Sequence, residues 1–287
     1  MSGPVLLTGA AGRIGTVLRG GLPERGWALR SLDVVPLTDT RPGEEQVVAD
    51  VTDLAAMAEA AEGASAVVHL GGISGESTWA AVSHVNIDGT QCVLEAARQA
   101  GVPRVVLASS NHATGFTPRP AEGLLRETDG PPRPDTFYGV SKVAMEALGS
   151  LYADRYGLDV VCLRIGTAAP EPTTTRHLST WLSPTDQVSL VDAALQAPAP
   201  GFAVVWGVSA NTRGWWDLTA ARALGYEPAD DAEPYAAALV EVHGEPDPAD
   251  PVHGRVGGEF TTAGFDVEHI GPPAPRADIA PGSGADR

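Results

Sequence analysis

A chain of 287 residues that is 43% hydrophobic and 19% charged has the material for one large α/β domain with a small appended region. Its formal net charge of −17 disfavours nucleic acid and anionic membrane surfaces as partners, and obliges any anionic ligand to meet a local cation. The opening MSGPVLLTGAAG predicts no cleavable leader, no apolar run approaches the ~18 residues of a membrane span, and Cys92 and Cys162 sit in apolar periodic segments without metal-ligand spacing. A cytoplasmic protein with reduced core cysteines and no metal is expected.

In chain order, Val5–Leu7 is a buried strand, and a helix opens near Gly12 and runs past Leu18. A second strand, Ala28–Val34, carries Asp33 near its end. Gln46–Ala49 is extended, Leu54–Ala61 helical, and Ala66–Leu70 the fourth strand. A long helix follows over Trp79–Ala100, then a fifth strand over Arg104–Ala108. A loop rich in Pro and Gly covers Asn111–Thr136. Helix Tyr138–Tyr156 and strand Asp159–Ile165 complete the regular alternation. Short apolar runs separated by helices predict an α/β fold: a doubly wound parallel sheet, the Rossmann fold, whose ligands bind beyond the carboxyl ends of the strands. After Gly166 the pattern turns irregular, with helices at Leu178–Leu182 and Asp186–Gln196, a strand at Phe202–Trp206 and a helix at Trp215–Leu224. The chain thus divides into a dinucleotide-binding core over 1–166, a small substrate-covering region with a late sheet strand over 167–262, and a mobile tail over 263–287 rich in Pro, Ala, Gly and Asp.

The first strand feeds Thr8-Gly9-Ala10-Ala11-Gly12-Arg13-Ile14-Gly15. Gly9 permits a tight turn, Gly12 lets backbone approach a pyrophosphate, and Gly15 lets helix pack on strand. The helix N-terminus beginning at Arg13 and Ile14 offers free N–H groups and positive potential to phosphates. Asp33, 18 residues past Gly15, ends the second strand, where a carboxylate accepts hydrogen bonds from adenosine ribose hydroxyls and repels a 2′-phosphate. NAD is therefore expected rather than NADP. Asp50 and Val51 follow the third strand and face the adenine on this reading. Leu70, Gly71 and Gly72, with Ser74 just beyond, follow the fourth strand and let backbone approach the cofactor.

Tyr138 and Lys142 lie four residues apart, on one face of a helix. A free tyrosine, with a pKa near about 10, is a poor base at neutral pH; an adjacent ammonium and the positive nicotinamide of NAD favour its phenolate. The spacing is common by chance, but here it lies downstream of a dinucleotide fingerprint and of Ser109-Ser110 at the end of the fifth strand. A hydroxyl there can orient the oxygen that Tyr138 deprotonates.

TGAAGRIG, SSNH and YGVSK, in this order and spacing, resemble the extended-type short-chain dehydrogenase/reductase superfamily. HLGGIS (69–74), ASSNHATG (108–115), LRIGTAAPEP (163–172), RHLSTWLS (176–183) and AVVWGVSAN (203–211) followed by GWWD (214–217) resemble its sugar-acid-oxidising branch, the similarity covering about residues 4–260. The resemblance implies NAD-dependent oxidation of cyclic D-glucuronate or D-galacturonate at C1 to the aldarolactone. It makes Tyr138 the general base and puts Lys142 on the nicotinamide ribose, lowering the tyrosine pKa. Ser110 goes to the reacting oxygen, while Ser74, Asn111 and His112 go to sugar hydroxyls. Arg176 goes to the C6 carboxylate, and Ile165 and Thr167 flank nicotinamide and sugar. Without the resemblance, Arg176 reads as a surface loop residue; with it, Arg176 is the cation that an acidic protein needs for an anionic sugar.

Thr167 stands where the branch leads us to expect serine, TTT (173–175) replaces a more amide-rich stretch, and the tail beyond about residue 260 departs from the pattern. His69 and the tryptophans 206, 215 and 216 read as structural. A nucleotide-sugar epimerase or dehydratase of the same superfamily is the alternative enzyme, and a non-catalytic dinucleotide sensor the alternative outside catalysis. The short region after Gly166 and the retained Ser110, Tyr138 and Lys142 weigh against them. A homo-oligomer is expected.

Overall fold

The computed structural model describes residues 3–265. Its first half runs β1 (Val5–Thr8), α1 (Arg13–Glu24), β2 (Leu29–Asp33), β3 (Glu45–Val48), α2 (Leu54–Ala61) and β4 (Ala66–His69). Next comes one helical rod: α3 (Trp79–Val82), a wide π-helical turn over Ser83–Asp88, and α4 (Gly89–Gln99). Then follow β5 (Arg104–Ser110), α5 (Phe137–Tyr156), β6 (Asp159–Ile165), β7 (Thr167–Ala168), α6 (His177–Thr180), β8 (Trp181–Leu182), α7 (Pro184–Gln196), β9 (Phe202–Gly207), α8 (Thr219–Ala223), α9 (Ala236–His243) and α10 (Pro251–Gly254).

Seven strands form one parallel sheet in the order β3-β2-β1-β4-β5-β6-β9. The chain winds outward from β1 in one direction and returns to continue from β4 in the other. This reversal opens a crevice at the carboxyl ends of β1 and β4, the expected ligand position of a doubly wound sheet. Side chains alternate between two cores: Val5, Leu7, Val106, Val161 and Leu163 pack on one face, and Leu6, Val105, Leu107, Val160 and Cys162 on the other. Both faces of the central strands β1, β4, β5 and β6 are therefore buried, which is why these strands read as apolar runs, whereas the edge strand β3 is mostly exposed.

Helix α5 begins where its cap allows: Thr136 Oγ1 accepts the Gly139 N–H at 3.1 Å. Gly157 closes it in the left-handed region at φ 73°. Three expectations needed correction. The helix expected at Trp215–Leu224 begins only at Thr219. Trp215 and Trp216 are instead extended, with the Leu125 N–H donating to the Trp215 carbonyl and Asp217 N–H to the Leu125 carbonyl. The two indoles stack at 4.0 Å in a core shared with Trp206 and Val256. The helix expected at Leu178–Leu182 ends at Thr180, because Trp181 and Leu182 pair with β7. Helix α9 was not expected; its apolar run AAALVEVH lacks the caps that mark a helix. The tail expected over 263–287 lies, from residue 266 onward, outside the described residues. Among the described residues no helix is long and apolar enough to cross a membrane, and no acidic, His or Cys group could hold a metal ion.

Candidate active site

The turn after β1 is built around missing side chains. Gly9 sits at φ 70°, and a Cβ there would lie 2.7 Å from Gly71 N. A Cβ on Gly15 would strike the Gly9 carbonyl oxygen. Gly12 is the N-cap of α1, and no side chain caps that helix among the described residues, so its first-turn N–H groups, on Arg13, Ile14 and Gly15, are left for a ligand. Asp33 Oδ2 accepts the Ala11 N–H at 2.9 Å, which fixes the carboxylate beside the turn. Arg13 Nη1 donates to the Ala168 carbonyl at 3.2 Å, tying the turn to β7. Asp50 Oδ1 accepts both the N–H and the hydroxyl of Thr52 at 2.9 Å, which holds its carboxyl below the usual range. Val51 is buried against Gly71 and Gly89, a wall behind the crevice. Leu70 N–H donates to the Thr8 carbonyl and Gly71 N–H to Thr8 Oγ1, so the strand ends of β1 and β4 are stitched together. His69 is fully buried beside Thr8, and burial pushes its pKa down to about 3, so it is neutral and structural. An uncapped helix start, a cradle that admits no Cβ and a strand-end carboxylate fit a dinucleotide.

Tyr138, Lys142 and Ser110 are all buried around the carboxyl end of β5. Lys142 Nζ donates to the Ala108 carbonyl at 2.7 Å and lies 5.4 Å from the Tyr138 ring centroid. Burial lowers the lysine pKa to about 8, with Cys162 and Glu146 nearby opposing it. Burial pushes the Tyr138 phenol above its usual value, the Ser110 hydroxyl opposes this, and Asp135 adds to it. Ile165 pairs in register with Ser110 across β5 and β6. Behind Lys142, Glu146 accepts the Ser109 hydroxyl at 2.6 Å and forms a buried two-point pair with Arg164 at 2.9 and 2.8 Å.

The residues assigned to the sugar come from three distant loops. Asn111 Nδ2 donates to the Val256 carbonyl at 2.8 Å, and its Oδ1 accepts the Ser110 hydroxyl at 3.2 Å. Arg176 Nη1 donates to the Val252 and Arg255 carbonyls at 2.7 and 3.2 Å, and Nη2 to the Val256 carbonyl. These bonds use three of the five guanidinium N–H groups, and among the described residues the Nε–H and one Nη2 N–H have no partner, which leaves two donors for a carboxylate. Burial lowers the Arg176 pKa to about 10, so it stays charged at neutral pH. Thr167 Oγ1 is 2.8 Å from Thr180 Oγ1, so its hydroxyl has a protein partner. Ser74 is exposed on the loop after β4.

Four features escaped the sequence. Asn86, buried in the π-helical turn, holds the backbone of Ile73 through both amide atoms and donates to Ser141 Oγ, which donates to the Tyr138 carbonyl. Glu76 accepts the N–H groups of Phe137 and Tyr138 at 3.1 and 2.8 Å. Asp135 Oδ2 lies 2.7 Å from His112 Nδ1. The segment 252–260 carries the carbonyls that hold Asn111 and Arg176, and Phe260, whose ring lies 4.2 Å from that of His112. Only Asp135, three residues before Tyr138 in a loop at a predicted helix start, left any signal.

A parallel sheet of this order, a glycine turn after β1 and a Tyr–Lys helix at the switch crevice define a dinucleotide-dependent enzyme scaffold. Residues 5–184 match the model of the NAD dependent epimerase/dehydratase family, and the chain belongs to that family. It is 42% identical to uronate dehydrogenase of Pseudomonas putida over 91% of this chain and 96% of the relative. The glucuronic acid dehydrogenase of Chromohalobacter salexigens superposes with a TM-score of 0.85, at 38% identity over 91% of this chain and 97% of that one. A tyrosine-to-alanine mutant of uronate dehydrogenase from Agrobacterium tumefaciens, complexed with NAD, superposes at 0.84, with 42% identity over 90% and 97%.

Proposed function

We propose that this protein is an NAD-dependent uronate dehydrogenase that oxidises cyclic D-glucuronate and D-galacturonate at C1 to the aldarolactone. The observation that carries this reading is Arg176: a part-buried guanidinium, anchored by three carbonyls, with two N–H groups that no described residue takes. In a chain of net charge −17, a cation anchored by carbonyls, with no carboxylate in ion-pair reach among the described residues, is suited to meet an anion. The similarity to uronate and glucuronic acid dehydrogenases supports the same substrate class.

Arg13, Ile14 and Gly15 hold the pyrophosphate of NAD, and Asp33 holds the adenosine ribose. Asp50, Val51, Leu70, Gly71, Gly72 and Ile165 shape the rest of its site. NAD, when bound, accepts the hydride that leaves C1. Arg176 pairs with the C6 carboxylate, and Ser74, Asn111, His112 and Thr167 surround the sugar. Ser110 donates to the C1 oxygen, and the Tyr138 phenolate takes the C1 hydroxyl proton as the ring carbon becomes a lactone carbonyl. Lys142 holds the nicotinamide ribose and keeps positive charge near the phenol, which offsets the rise that burial imposes on Tyr138. The reading extends to a cytoplasmic homo-oligomer, which light scattering on the eluted protein would test.

The experiment is NADH absorbance on mixing the protein with NAD and, separately, galacturonate, glucuronate and galactose. NADH with both acids and little with galactose is the expected result. No NADH with either acid overturns the assignment and favours an epimerase or dehydratase that regenerates its cofactor.

A further inference from the structure

His112 is held from three directions. Its Nδ1 lies 2.7 Å from Asp135 Oδ2, its ring packs on Phe260 at 4.2 Å, and its edge meets Tyr138 at 5.7 Å. The Asp135 side chain is 0% exposed. Its other oxygen accepts the Thr136 hydroxyl at 3.0 Å. Three glycines make room for this carboxylate: a Cβ on Gly115 or Gly257 would strike Oδ2, and one on Gly139 would lie 2.9 Å from Oδ1. A buried carboxylate is costly unless its oxygens are satisfied, and nothing in the chemistry assigned to Tyr138, Lys142 and Ser110 uses it.

A carboxylate only accepts hydrogen bonds, so a 2.7 Å contact requires the proton on His112 Nδ1. In the neutral ring Nε2 then carries a lone pair, and no partner for Nε2 occurs among the described residues. We propose that Asp135 is a positioning residue for substrate recognition: it locks His112 in the Nδ1–H form, so that Nε2 accepts a hydrogen bond from a ring hydroxyl of the sugar acid. Phe260 and Tyr138 fix the plane of the ring, and Asp135 fixes which nitrogen can accept. The inference rests on the sugar-acid reading of the site, and its first test is independent of turnover.

Nitrogen-15 NMR of the imidazoles in the full-length protein, with His112 assigned through His112→Gln, reads the tautomer directly. At pH 7.5 the expected result is a proton on Nδ1 and none on Nε2, with the Nε2 resonance shifting when galacturonate is added beside NADH, which permits no turnover. A proton on Nε2 overturns the proposal, and so does an Nε2 resonance that galacturonate leaves in place while it binds. Asp135→Asn should relax the tautomer and raise KM for galacturonate about tenfold, with kcat changed less than about threefold. A relaxed tautomer with an unchanged KM also overturns it. If Asp135→Asn fails to fold, the measurement on the native protein still decides. Absence of any galacturonate oxidation or binding would instead remove the sugar-acid reading and leave the tautomer result standing.

Discussion

Asn111 and Arg176, 65 residues apart in the chain, donate to one acceptor, the carbonyl oxygen of Val256. One residue of the C-terminal segment therefore sets the distance between the loop after β5 and the loop before α6. Arg176→Lys keeps a charge but loses the planar fork, and its three N–H donors cannot serve the three carbonyls and a carboxylate together. KM for both uronates should rise about 100-fold, with a smaller change in kcat and little effect on NAD affinity. Steady-state kinetics with each uronate checks this; an unchanged KM would mean that the carboxylate is held elsewhere.

Tyr138→Phe removes the proposed base but leaves the ring that packs on His112. The rate of NADH formation should fall about 10²- to 10⁴-fold. NAD affinity, followed by quenching of tryptophan fluorescence, should stay within about twofold. A variant that keeps its rate would move the base to another residue.

Glu76 ties the Ser74 loop to the start of α5 by accepting the Tyr138 N–H at 2.8 Å. A carboxylate at a helix N-terminus is stabilising through both the hydrogen bond and the helix dipole. Glu76→Ala should cost about 1 kcal/mol, seen as a fall of roughly 2–4 °C in Tm. It should also lower kcat, because the backbone bearing the base loses its tether. Thermal unfolding and kinetics on the same sample separate the two effects.

Asp33 should determine the nucleotide. Asp33→Ser removes the charge that opposes a 2′-phosphate and also releases Ala11 N–H. The ratio of kcat/KM for NADP to that for NAD should rise about tenfold or more. Initial rates with both nucleotides at saturating galacturonate check it.

Acid should unfold the protein partly through Glu44. Its carboxylate accepts two bonds from buried Arg19, one from the Ser31 hydroxyl and one from the Arg41 N–H, which hold its pKa at about 2 against 4.5 ordinarily. Because the folded value is depressed, this stabilisation is present above pH 4.5 and is lost as pH falls toward about 2. It amounts to at most about 3 kcal/mol. Glu44→Gln should be less stable at pH 7 and show a flatter loss of stability between pH 4.5 and 3, measured by urea unfolding at each pH.

The elements legible in the sequence are those with a short period or a local cap. The central strands β1, β4, β5 and β6 read as apolar runs because both of their faces are buried. Trp215 and Trp216 misled because two adjacent aromatics before an alanine-rich stretch look like helix, whereas tertiary pairing with Leu125 holds them extended. Asn86 was hidden because a single polar residue inside a long helical pattern carries no signal for a π-helical turn.

Within the candidate site the same division holds. The glycine turn and its helix, Asp33 at a strand end, and the Tyr138–Lys142 pair lie within single strand–turn–helix units or one helical turn, so local geometry places them and spacing along the chain exposes them. The sharing of Val256 by Asn111 and Arg176, the hold of Asp135 on His112 and that of Glu76 on Tyr138 span 145, 80, 23 and 62 residues. Contacts closed over such lengths depend on how the whole sheet brings its loops to one end, and no repeat or motif in the intervening chain records them.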